Sequence, residues 1–149
     1  MIEPTNWINI DSFHYENTYK RLCPSQSDES KKTKKEFVFR TMWELFVWGA
    51  LLGYTNKCPK ELEKRYKSPP FRWQMIKDPH QKLLIVMAVE NVNSFDILKK
   101  PDELKKNIEM HSNGGLDLIH KEMALDPLAY QNTESLIYEI QKRFGEDRG

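Results

Sequence analysis

The sequence predicts an all-α fold, mostly helical, with about six helices wrapped around two buried apolar ones. Three observations predict it. Residues 37–53 (Phe-Val-Phe-Arg-Thr-Met-Trp-Glu-Leu-Phe-Val-Trp-Gly-Ala-Leu-Leu-Gly) are apolar on nearly every side, interrupted by Arg40, Thr41 and Glu44. Residues 83–89, Leu-Leu-Ile-Val-Met-Ala-Val, have the same character. Helix start and stop signals punctuate the chain between such stretches. A helix with one wet face shows apolar residues at i, i+3, i+4 and i+7. Residues 37–53 show no such stripe, so they read as a helix packed on most of its circumference.

In chain order, Asp11 is placed to cap a helix over residues 12–22, which carries a Glu16–Lys20 pair at i,i+4 and ends at Pro24. Residues 24–35 bring no apolar side chain and read as an exposed, solvated loop. The organising helix follows over 36–52. Gly53 stands where a left-handed C′ glycine belongs, and Gly49 in the last turn signals another backbone packed close by. Pro59 is suited to open a short helix running toward Tyr66, and Ser68-Pro69-Pro70 then forbids one.

Residues 71–76 alternate briefly, with Phe71, Trp73 and Met75 on one side. They predict a short extended segment that pairs with a terminus or across a dimer. Asp78 and Pro79 open the second buried helix, the expected packing partner of the first, which residues 91–93 close. Pro101 opens another, with Asp102 and Glu103 in its first turn as the helix dipole favours. Asn113, Gly114 and Gly115 mark a helix junction or turn, where that helix ends or kinks before continuing over Leu116, Leu118, Ile119 and Met123. Asn132 or Thr133 caps a last helix with Leu136, Ile137, Ile140 and Phe144 inside. Residues 146–149 form a fraying tail. The whole reads as one helical domain over 1–149.

The bulk composition excludes more than it selects. A length of 149 residues, 39% hydrophobic and 30% charged, describes an ordinary globular chain. A net charge of +1 demands neither nucleic acid nor an anionic membrane. Cys23 and Cys58 lie far apart and form no CxxC pair, so both read as reduced thiols. The first residues lack a signal peptide's basic and apolar regions. The longest apolar run falls short of the ~20 residues that span a bilayer. The expected location is the cytoplasm, with no membrane partner.

The search for chemistry returns few candidates. His14, His80, His111 and His120 have no HExxH or His-x3-His spacing, so neither a metal nor another cofactor is expected. No GxSxG occurs, and neither cysteine has a nucleophile's surroundings. Asn113-Gly114-Gly115 has the backbone for an anion cradle but lacks the GKS/T sequence and the preceding strand of a phosphate loop. A small enzyme site around His111, Asn113 and His120 is the least favoured reading. Lys31, Lys32, Lys34 and Lys35, with Arg72, Trp73 and Lys77, have the types that bind phosphates and stack on bases. No recognition helix stands out, so such binding would not read sequence. Trp7, Phe71 and Trp73 lie in irregular segments and are the partner-binding candidates.

Leu52-Gly53-Tyr54, Arg72-Trp73 and Gly114-Gly115-Leu116, in this order and spacing, resemble the DNA phosphorothioation-associated protein 4 family. These are small bacterial proteins encoded beside Dnd DNA-sulfur modification and restriction genes. The resemblance covers residues 36–123. It implies a place in a system that discriminates foreign DNA and supplies no catalytic residues. The function expected is a non-enzymatic accessory subunit of a phosphorothioation-linked anti-phage (restriction-modification) system, binding a larger defence protein. A sequence-nonspecific nucleic-acid-binding module of the same system is the alternative.

Overall fold

The computed structural model describes residues 7–23 and 39–126. The chain enters as an extended segment, then turns helical as α1 (Ser12–His14), a π-helical turn (Tyr15–Tyr19) and α2 (Lys20–Leu22). It continues as α3 (Met42–Thr55), a 3-10 turn (Trp73–Met75), α4 (Asp78–Val92), a second 3-10 turn (Phe95–Lys99) and the long α5 (Pro101–Leu125). The fold is all-α. Among the described residues no strand forms, and two isolated antiparallel bridges, Trp7 to Arg72 and Asp11 to Arg65, are the only β pairing.

Asp11 caps the first helical run as expected. Its carboxylate accepts from the Phe13 N–H at 2.8 Å, and its other oxygen accepts from the Glu63 N–H at 2.8 Å. One side chain thus starts a helix and pins a distant loop. Helix α3 opens on a capping box. The Thr41 hydroxyl accepts from the Glu44 N–H at 3.3 Å, and the Glu44 carboxylate accepts from the Thr41 N–H at 3.0 Å. Phe46, Leu45, Ala50 and Leu52 are buried around α3, which the sequence predicts for a helix apolar on most sides.

The centre of the fold is the crossing of α3 and α5. A methyl group on Gly115 would overlap the Gly49 carbonyl, and one on Gly53 would overlap the His111 carbonyl. Backbones approach this closely only where no Cβ intervenes. The close approach expected at Gly49 is present, with the Ser112 carbonyl 3.0 Å from where its Cβ would stand.

This crossing corrects two expectations. Residues 113–115 are not a junction, because α5 runs unbroken through Asn113, Gly114 and Gly115 for 25 residues, about 37 Å. The glycines serve the crossing, and Gly114 backs onto the Cys58 carbonyl. Nor does Gly53 end α3. The helix continues to Thr55, and Lys57 takes the left-handed conformation with φ 53°. The Cys58 N–H then closes the end by donating to the Gly53 carbonyl at 2.9 Å.

Two further expectations change. No helix follows Pro59. The 58–66 stretch runs instead as irregular chain held from both sides: the Lys60 N–H donates to the Met110 carbonyl at 2.9 Å, and the Tyr66 N–H to the Ile10 carbonyl at 2.9 Å. Helix α4 is not wholly buried. It buries Leu84, Ile85, Met87 and Ala88 but leaves Leu83, Val86 and Val92 in solvent, because α5 has taken the place of principal partner to α3. Its end at Asn93, with φ 56°, is the stop expected at residues 91–93. The helix expected after Asn132, the 24–35 loop and the 146–149 tail lie outside the described residues.

Candidate functional site

The surface that brings two of the predicted residues, Trp7 and Arg72, together is built by the extended segment at residues 7–11. Side chains alternate along extended backbone. Ile8 and Ile10 therefore point into the core while Trp7 stays 43% exposed. The Ile8 N–H donates to the Phe71 carbonyl at 3.1 Å, which sets residue 7 beside residue 72. Of the segment expected to pair with a terminus or across a dimer, residues 71 and 72 alone pair with the residues near the N-terminus, and residues 73–75 turn as a 3-10 helix. The Arg72 guanidinium lies 4.7 Å from the centroid of the Trp7 ring, within cation–π range.

The same alternation corrects two candidates. Phe71 and Trp73 are 2% and 0% exposed, so neither ring is available for a partner or for base stacking. Phe71 packs edge-on against Phe46, with centroids 5.5 Å apart. Met75, expected on their side, is exposed because the 3-10 turn at Trp73–Met75 breaks the alternation. Arg72 and Lys77 are both at the surface, Lys77 at the flank of α4. Lys31, Lys32, Lys34 and Lys35 lie outside the described residues.

Helix α5 supports this surface from beneath. The Lys105 ammonium donates to the Trp7 carbonyl at 3.1 Å and lies 3.9 Å from the Glu109 carboxylate. That carboxylate accepts from the Asn9 N–H at 2.7 Å. Burial pushes the Glu109 carboxyl above its ordinary range, against the opposing pull of the Asn9 N–H, Lys105 and Arg65. A cavity of about 170 Å³ opens beside it, with Arg65, Lys106 and Glu61 on its walls. The result is an exposed indole and guanidinium on a backbone fixed by hydrogen bonds to Phe71 and Lys105. Lys105 and Glu109 were not singled out as a pair by sequence reasoning. Their i,i+4 spacing on one helix was the available signal.

A second polar cluster joins the first helical run to α5. His14 is buried, its Nδ1 2.9 Å from the Thr18 hydroxyl. Burial lowers its pKa to about 4, which outweighs the raising effect of Asp117 and Asp11. The 4.0 Å approach of His14 Nε2 to Asp117 is therefore not an ion pair at neutral pH. Burial alone would raise the Asp117 carboxyl, but Lys121 at 3.0 Å and Lys60 at 3.4 Å outweigh it and hold the carboxyl below its ordinary range.

The remaining candidates are dispersed. His111 is buried, its Nδ1 2.9 Å from the Asn107 carbonyl. The Asn113 amide donates to the Lys60 and Glu61 carbonyls, each at 3.2 Å, so it fastens the irregular stretch to α5. His120 packs edge-on against Phe13. The structure does not bring these three together on one substrate-sized cavity. Among the described residues no group of three or more His, Cys, Asp or Glu side chains is arranged to hold a metal ion. Among them, too, no helix is long and apolar enough to cross a membrane.

No curated protein and no solved structure matches the chain. The family described as DNA sulphur modification system-associated protein 4 matches residues 26–148. Arg72 and the glycines of the α3–α5 crossing fall inside that match, and Trp7 precedes it. With about four-fifths of the chain matched, the protein belongs to the DNA sulphur modification system-associated protein 4 family.

Proposed function

We propose that this chain is a non-enzymatic accessory subunit of the DNA sulphur modification system. In this reading it binds a larger protein of that system through the surface centred on Trp7 and Arg72, and serves bacterial defence against foreign DNA in the cytoplasm. The observation that carries the reading is the exposed Trp7 ring beside the Arg72 guanidinium on a hydrogen-bonded backbone. Tryptophan and arginine dominate measured interface energetics. A pair already held in place has little conformational freedom left to lose on binding. The test is co-purification of tagged protein with its system's other proteins at physiological salt. Wild type captures one of them, and Trp7→Ala and Arg72→Ala each lose it. Capture of none by the wild type refutes the reading.

A second reading, sequence-nonspecific nucleic-acid binding, is favoured by the exposed Arg72 guanidinium on the Trp7 ring and by the exposed Lys77 nearby in sequence. Such binding weakens steeply with salt, and removing one phosphate contact lowers the salt slope by about 1. Arg72→Gln is expected to do so. Absence of DNA binding at about 50 mM salt ends this reading.

A further inference from the structure

We propose that two copies of this chain associate through α4, antiparallel, about a two-fold axis passing at Val86. The outward face of α4 carries Val86, 64% exposed, and Leu83, 44% exposed. Lys82 lies four positions before Val86 and Glu90 four positions after it. Reversing the helix about Val86 sets Lys82 of one copy opposite Glu90 of the other, Leu83 opposite Val89, and Val86 against itself. A two-fold interface requires this reciprocity: if residue i meets j, then j meets i. The charge pattern of α4 is complementary to its own reversal, and a net charge of +1 sets up little repulsion between copies.

Three local features suit the face to this role. A groove of about 610 Å³ runs beside the helix, floored by Ile85, Val89 and Leu98 and edged by Phe95, which is 77% exposed. Contiguous apolar surface of this kind marks an association site. The Glu90 carboxylate stands close enough to the Tyr54 hydroxyl to help raise its pKa, so it projects from the side of α4 that faces Tyr54. Lys82 reaches Asp78 at 3.2 Å, an exposed pair too weak to withhold it from a second acceptor. In the dimer Val86 of each copy, itself on the edge of the groove, packs against the groove edge of the other.

The test is the mass of the full chain in solution by sedimentation from about 1 to 100 µM. The expected result is a monomer–dimer equilibrium that Val86→Asp shifts to monomer, with circular dichroism unchanged, and with the thermal midpoint unchanged at concentrations where wild type is itself monomeric, because Val86 is exposed. Lys82→Glu and Glu90→Lys each weaken the dimer about tenfold, since like charges then face each other twice. An equimolar mixture of these two variants forms a mixed dimer tighter than either alone, because both crossed pairs regain opposite charges. A monomer at every concentration overturns the proposal. So does a dimer untouched by Val86→Asp, or a mixture no tighter than its components. A face covered by another protein of the system, in place of a second copy, gives the first of these outcomes.

Discussion

The Ser112 hydroxyl donates to the Phe46 carbonyl at 2.9 Å, one turn away from the contact of the Gly115 backbone with the Gly49 carbonyl. The two contacts lie on one line, the crossing of α3 and α5. Together they replace side-chain interdigitation with backbone apposition. Ridge-into-groove packing leaves 8–10 Å between helix axes, and small residues at the contact are what allow a closer approach.

Gly115→Ala is therefore expected to destabilise the protein by about 3 kcal/mol, in spite of alanine's helix preference of about 1 kcal/mol. The overlapping atom is a backbone carbonyl, which cannot rotate away. Gly49→Ala meets its neighbours at 3.0 Å and beyond, and is expected to cost clearly less. Urea midpoints of the two variants measure the difference.

Asp11→Ala removes a helix cap and the acceptor for the Glu63 N–H together. A lost cap costs about 1 kcal/mol, and an orphaned N–H adds a comparable amount. A loss of about 2 kcal/mol is expected, with Asp11→Asn retaining most of the stability. Hydrogen exchange at the Phe13 and Glu63 amides locates the effect.

The pKa of His14 falls from 6.5 to about 4 on folding. Between these values the unfolded chain holds a proton that the native chain does not, so acidification favours unfolding. Stability is expected to fall by up to about 1.4 kcal/mol per pH unit as pH drops from 6.5 toward 4. Glu109 contributes with the opposite sign. Its folded pKa is raised, so its stability cost is present above the folded value and relieved as pH falls through the carboxylate range. Denaturant titrations at stepped pH should show the decline above pH 5 in wild type, and a flatter profile in His14→Gln.

Trp7→Ala is expected to leave folding stability within about 1 kcal/mol of wild type, the scale of an exposed cation–π pair. Trp73→Ala empties a wholly buried site and is expected to cost about 4 kcal/mol. Thermal midpoints of the two variants separate a surface indole from a core one on the same stretch of structure.

The reading from sequence reached the class of fold, the cap at Asp11 and the close approach at Gly49. Each rests on local chemistry that acts within a few residues. It missed where tertiary packing overrode that chemistry. Gly53 has the residue type of a helix stop, yet the crossing with α5 needs its missing Cβ more, and Lys57 takes the left-handed turn. Phe71 and Trp73 share a side as the alternation said, but only the covering segment at residues 7–11 decides that this side is the core. The run 83–89 is apolar throughout, and composition does not separate a residue that is buried from one, such as Val86, that faces water.

The glycine crossing also bears on how relatives are to be recognised. Apolar positions in α3 and α5 can trade one hydrocarbon for another of similar bulk with small penalties. Where two main chains touch, hydrogen is the sole substituent that fits. A drifted descendant would blur the greasy stretches first and hold longest to a sparse signature: one glycine near the end of the earlier helix, at Gly53, and a glycine pair on the later one. That spacing works as a ruler for the lineage where overall similarity has faded.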